Sequence, residues 1–281
     1  MKGRFFMRAD MILFDLKRNI RTMLIWAVAI GAVLSIYLFF FPTMQTNQNY
    51  IKLFQGELEM MPDQVLAMFN MDDMVDFSNL LNYYGYISNI IFIASCIYAC
   101  VLGAGALAKE EGNKTIEFLY TMPLTRKQIL INKLITSFII LFLFTFISSI
   151  ITMFSAVIVK PSTMALFDLI IPMMKVIGYQ FLIMTGFMFL SFGFSAVLKK
   201  TSIIAPIGMV IFFVTYISGV FGKTIKSLKF LKYFSPYYFI ESNKVIKNGY
   251  FNPYYLLILA FMIFGGFVFA YFYYSKKDFK I

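Results

Sequence analysis

Histidine is absent from the 281 residues, and cysteine occurs only at Cys96 and Cys100. Without histidine, a Ser-His hydrolase site loses its base and a zinc site its usual nitrogen ligand. The two cysteines stand one helical turn apart inside an apolar run, which suits free thiols better than a disulfide framework. Charge is scarce as well: 14% of residues are charged, against about 25% in a soluble domain. The chain is 60% hydrophobic, with a mean hydropathy of +0.77, and that excludes an ordinary soluble domain. The little charge present is one-sided, 25 Lys and Arg against 14 Asp and Glu, a net +11. In so apolar a chain the anionic partner is the membrane surface and its lipids, not nucleic acid.

What the sequence does have is long apolar runs. Six of them reach the roughly 20 residues that cross a bilayer: 22–41, 83–108, 129–159, 169–198, 202–221 and 251–274. The predicted fold class is an all-α polytopic membrane protein, a single transmembrane domain over 1–281 with six transmembrane helices. Trp26 and the Phe39, Phe40, Phe41 cluster sit toward opposite ends of the first span, as interfacial aromatics do, and Pro42 closes it. Pro172 is a candidate break in the fourth span, and Pro206 with Gly208 are kink points in the fifth. Ser95, Ala99 and Gly103 recur every four residues and give a face for close helix packing within the chain. Ahead of the first span, residues 1–21 read as a basic amphipathic helix through Phe6, Asp10, Leu13, Phe14, Lys17 and Arg18. Such a helix lies in the membrane plane; the plainer reading is a basic flank that orients the first span. It is not a signal peptide, because the following apolar core is too long and lacks a small-residue cleavage site.

Topology follows from the basic residues. With the N-terminus inside, inner segments hold 16 Lys and Arg and outer segments nine, which places both termini in the cytosol of a plasma membrane. The loops 42–82 and 222–250 are then external. The first is acidic, with a short helix expected over 62–70. The second is the exception to the charge rule, with Lys223, Lys226, Lys229, Lys232, Lys244 and Lys247.

Two further absences bear on energy. No span carries an acidic residue near its middle, where ion-coupled carriers keep their ionisable groups. Asp168 and Lys175 fall near the outer start of the fourth span and snorkel. Gly222-Lys223-Thr224 resembles the end of a phosphate loop, but the pattern requires glycine where Ile217 stands, and it follows a span rather than a strand. The chain therefore has no nucleotide site or coupling ion of its own.

The most organised stretch is LAKEEGNKTIEFLYTMPLTRKQILINK, from Leu107 to Lys133. Gly112 ends a helix, and Asn113 caps a short one over 113–122. Its apolar face is Ile116, Leu119 and Tyr120, at i, i+3, i+4. Pro123 stops it. Thr125 and Gln128 form a capping box for the next helix, with Leu124 and Ile129 as the hydrophobic staple. The third helix, counted from Thr125, is longer than a bilayer needs and projects Arg126 and Lys127 into the cytosol. Glu117 and Arg126 are a candidate ion pair holding the angle of this knuckle; the plain alternative is two solvated charges. For the apolar face, the plain alternative is contact with lipid headgroups.

Glu110, Glu111, Thr115, Glu117, Leu119, Pro123, Thr125, Arg126 and Lys133 resemble the intracellular segment of ATP-binding-cassette permeases of the type-2 exporter family, roughly E-x(3–5)-T-x-E-x-L-x-x-x-P-[LIV]-[ST]-R followed by a lysine. Met61-Pro62 to Phe69 with a later Tyr-Gly, and Phe234-Ser235-Pro236-Tyr237, resemble the family's outer loops more weakly. The resemblance spans nearly the whole chain. It implies a six-span permease without its own ATPase, working with two ABC ATPase subunits and a second permease copy or paralogue. ATP and Mg would sit on the partner, with no cofactor, catalytic residue or metal here. The 113–122 helix is similar to the family's coupling helix, and Ile116, Glu117, Leu119 and Tyr120 would then contact the ATPase. Glu111, Thr115, Pro123, Thr125 and Arg126 would hold the knuckle's shape. The expected function is export of a hydrophobic or amphipathic substrate such as a drug, antimicrobial peptide or lipid-like molecule. The alternative is a non-transporting scaffold or sensor component of a peptide-stress complex. Tyr237, Tyr238, Tyr254 and Tyr255 read first as an interfacial belt and second as substrate contacts.

Overall fold

The computed structural model describes residues 2–69, 77–112, 125–249 and 252–277. All regular structure among them is helical. The α-helices are α1 Lys2–Thr46, α2 Gln48–Met60, α3 Asp63–Met68, α4 Leu80–Gly112, α5 Arg126–Val159, α6 Leu166–Ser195, α7 Ile204–Thr224, α8 Ser242–Asn248 and α9 Pro253–Lys276. Six stretches are long and apolar enough to cross a membrane: Met11–Thr46, Leu80–Glu111, Arg126–Val159, Leu166–Ser195, Thr201–Thr224 and Pro253–Lys276.

Three local expectations are corrected. The in-plane helix over residues 1–21 is not a separate element, because α1 runs unbroken from Lys2 to Thr46. Its 45 residues at about 1.5 Å each exceed the roughly 30 Å hydrocarbon core twice over. Pro42 does not close the first span and Pro172 does not break the fourth; both lie inside helices. Within a span, leaving helical geometry would strand many backbone groups, whereas a proline frees only one or two; near the end of α1 the Thr46 hydroxyl also donates to the Pro42 carbonyl at 3.0 Å. Short polar caps mark helix starts instead. Asn47 starts α2 by accepting from the Asn49 amide at 3.1 Å, and Asn252 starts α9 by accepting from Tyr254 at 3.0 Å.

The core forms where α1 lies along α5 and where α4 lies along α6, with α7 and α9 packed on the latter pair. The small-residue face of α4 works inside the chain, as expected. A Cβ on Gly103 would stand 2.2 Å from the Met188 carbonyl oxygen of α6, so only glycine lets these backbones meet. Cys96 and Cys100, on the same helix, are buried free thiols.

Beyond α7 the chain folds back on the bundle through 3₁₀ segments Lys226–Phe234 and Pro236–Phe239, then α8. This corrects the belt reading of two tyrosines. Tyr237 and Tyr238 are each 1% exposed. The Tyr237 hydroxyl donates to the Asn89 carbonyl at 3.0 Å, and the Ser242 hydroxyl to the Asn89 side-chain oxygen at 2.6 Å. Burial pushes the Tyr237 hydroxyl well above the ordinary tyrosine range, so it remains a neutral donor. Tyr238 and Tyr216 both donate to the Met68 carbonyl, at 3.1 and 2.6 Å, tying the end of α3 to this segment. Tyr254 is exposed, and Tyr255 stacks on Phe239.

Candidate functional site

At the opposite end of the bundle, four charged side chains from three spans meet. Asp15 and Arg18 face the same way one turn apart on α1, Glu110 comes from the last turn of α4, and Lys133 from the second turn of α5. Arg18 reaches Asp15 at 3.0 Å and Glu110 at 2.5 Å. Lys133 reaches Asp15 at 2.7 Å and also bonds Glu110. Asp15, Glu110 and Lys133 are all buried. The four formal charges cancel, and their mutual pairing offsets the several kcal/mol that each buried ion costs when left unpaired. Asn19 borders the cluster, accepting from Lys109 at 2.6 Å and donating to the Asp15 carbonyl at 2.9 Å.

A second grip lies alongside. Lys277, just past α9, donates to Glu111 at 2.5 Å and to the Ala196 carbonyl at the end of α6 at 2.8 Å. Arg126, the first residue of α5, donates to the Lys277 carbonyl at 2.6 Å. Glu110 and Glu111 stand at the negative end of α4's dipole, an unfavourable place for carboxylates, and the two lysines offset that. Thr125 forms the expected capping box: Gln128 N–H donates to its hydroxyl at 3.4 Å, and its own N–H donates to the Gln128 side chain at 3.0 Å.

Of the residues singled out by sequence, Glu111, Thr125 and Arg126 thus sit at the two anchored ends of the knuckle. Thr115, Ile116, Glu117, Leu119, Tyr120 and Pro123, the staple residue Leu124, and the Glu117–Arg126 pairing lie outside the described residues. Sequence reading missed Asp15 and Lys277. For Asp15 a signal existed, an acid three residues before an arginine in an otherwise basic segment leading into a span. For Lys277 there was none, since its partners are 166 and 81 residues away.

Between α1, α4, α5 and α6 the bundle holds a small cavity of about 40 Å³ near Ser88, Ser95, Ser148, Thr152 and Gln180. Its α5 hydroxyls donate back to carbonyls one turn earlier, Ser148 to Phe144 at 2.9 Å and Thr152 to Ser148 at 2.8 Å. No ionisable acid or base other than Tyr84 lines it. Among the described residues no three His, Cys, Asp or Glu side chains gather as metal ligands. The chemistry the site offers is mechanical: it clamps both ends of residues 113–124 to the spans.

Comparison with curated proteins returns no match. The model for the ABC-2 family transporter protein matches residues 12–279, nearly the whole chain. That match takes in both the ion cluster and the knuckle, so this chain belongs to the ABC-2 transporter family, as its multi-span, non-catalytic membrane component.

Proposed function

We propose that the chain is the permease subunit of an ATP-driven exporter, moving a hydrophobic or amphipathic substrate across the plasma membrane. ABC-2 permeases function with ATPase subunits; in this reading two of them, carrying ATP and Mg, dock on residues 113–122, and a second permease copy or paralogue completes the pathway. Both termini and the knuckle are cytosolic, and the 222–250 segment is external, as the charge bias favours. The observation that carries the reading is the clamp. Glu110 and Glu111 fix the exit from α4, and Arg126 fixes the entry to α5. A push on the segment between them therefore reaches α1, α4, α5, α6 and α9 together rather than being lost in a slack loop. Ile116, Leu119 and Tyr120 supply the apolar anchors for the ATPase, with Glu117 beside them. The hydroxyl-lined cavity without carboxylates agrees with energy arriving from outside the chain.

The test is co-purification and transport with the ATPase encoded beside this chain or captured with it. Leu119→Ala should leave insertion and expression intact while weakening ATPase capture and abolishing substrate-stimulated ATP turnover in liposomes. Unchanged capture and transport would remove the assignment of the knuckle. Intact capture with no transport by the unaltered complex for any drug, peptide or lipid-like probe would favour the scaffold or sensor role.

A further inference from the structure

The small cavity between α1, α4, α5 and α6 has walls of unequal chemistry. Its α5 wall carries Thr145, Ser148, Ser149 and Thr152. Each of these hydroxyls donates its proton to a carbonyl one turn earlier on α5, as Thr145 does to Leu141 at 2.9 Å. A hydroxyl has one proton and two lone pairs, so these oxygens can only accept from whatever enters. Gln180 lines the cavity from the middle of α6. Its amide nitrogen is buried and has no hydrogen-bond partner among the described residues, which costs free energy until an acceptor arrives. Ser95 and Tyr84 bring further hydroxyls from α4. Acceptors on one wall and an unmet donor on another match a group that donates and accepts at once.

Charge does not fit. Among the described residues no Asp, Glu, Lys or Arg lines the cavity, and an ion at the depth of Gln180 would stand in the membrane without a partner. A neutral hydroxyl or carboxamide meets both walls. The volume of about 40 Å³ suits such a group rather than a whole drug or lipid, and Ile30, Leu34, Ile91 and Met184 give apolar wall for the carbons behind it. Admitting it breaks no bond between helices. The α5 hydroxyls are satisfied within their own helix, and none of their hydrogen bonds crosses to α4 or α6. We propose that this cavity binds the neutral hydroxyl or carboxamide group of an amphipathic molecule; resting on the export role proposed above, that molecule is the substrate.

Photolabelling of the full chain in phosphatidylcholine liposomes tests this, with a diazirine-bearing octanol as the probe and octanamide, octane, octylammonium and octanoate as competitors. Saturable labelling within residues 144–152 or 177–184 is expected, blocked by octanamide and by neither the alkane nor the two ions. Gln180→Leu and Thr152→Val each remove one polar partner while keeping the bulk. Each should weaken the labelling by about fivefold to tenfold, as when one buried hydrogen bond is lost. Thr215→Val removes a hydroxyl bonded in the same way to its own helix, at 3.0 Å from the Ile211 carbonyl of α7, and should leave the labelling unchanged. Octane competing as well as octanamide would mean a merely apolar gap and overturn the site. Equal competition by either ion would overturn the neutral group. No saturable labelling in these segments would mean that the cavity takes water only, and the proposal would fall. Displacement of the probe in phosphatidylglycerol liposomes would identify the lipid's glycerol hydroxyls as the occupant and overturn the substrate assignment. The chain is labelled without its ATPase, so this site and the proposed transport role fail separately.

Discussion

Lys133 touches both buried carboxylates of the ion cluster, Asp15 at 2.7 Å and Glu110. Replacing it by methionine keeps the length of the stem but leaves two carboxylates against Arg18 alone. Breaking a buried pair in this way costs about 3–5 kcal/mol, so Lys133→Met should lower the apparent melting temperature of the purified chain in detergent by roughly 10 °C. Adding Glu110→Gln restores neutrality and should recover part of that fall. Equal melting of Lys133→Met and the unaltered chain would mean that the cluster contributes nothing to holding the helices together. Glu110 and Lys133 were legible in the sequence because they flank the knuckle at fixed spacing. For Asp15 the spacing to Arg18 was a weak signal, since an acid in a basic segment looks like a solvated charge until tertiary packing buries it.

Among the elements, the knuckle has its two ends, at Glu111 and Arg126, fixed to the bundle, and the proposed function puts the ATPase contact between them. Truncating Leu119 to Ala removes a buried anchor of the proposed interface, typically about 2 kcal/mol, or about thirtyfold in ATPase affinity. Pull-down titration reads this directly, and an affinity within experimental error of the unaltered chain would count against docking there. Thr125→Ala removes half of the observed capping box and should cost about 1 kcal/mol. Its expected signature is a modest drop in melting temperature with weaker coupling, because the entry to α5 would fray. Helix existence and the α5 start were readable from apolar length and from the Thr125 and Gln128 pair. The prolines were misread because Pro42 and Pro172 obey the rule for water, where a broken helix finds hydrogen-bond partners, and a span does not. The burial of Tyr237 and Tyr238 was hidden for another reason. Their 3₁₀ segment is too short for a periodicity, and the partners, Asn89 and Met68, are 148 and 170 residues away.

For the whole molecule, orientation is the quantity to measure. With Cys96 and Cys100 buried, single cysteines can be introduced at Asn113, Lys226, Asn70 and Lys276 and labelled with an impermeant maleimide in intact cells. Positions 70 and 226 should label, and positions 113 and 276 only after permeabilisation. Labelling at 113 from outside would invert the bundle and remove the ATPase from reach of the knuckle. The six spans were legible because membrane crossing depends on length and hydropathy, both written locally. Which helices pair was not, because α1 with α5 and α4 with α6 are chosen by shape, as at Gly103 against Met188.

The grip around Lys277 also sets a timetable for synthesis. Arg126 and the Lys277 carbonyl it holds are 151 residues apart. At about 5–20 residues per second, the ribosome needs roughly 8 to 30 s after making the start of α5 before Lys277 exists. During that interval Glu111 and Arg126 are already in place at the ends of the knuckle without this partner, so the knuckle of the nascent chain is not yet latched. A chain stopped at Tyr274 should insert all six spans yet lack the Lys277 contacts, and pulse-chase in cells should find it degraded sooner than the chain that carries Lys277.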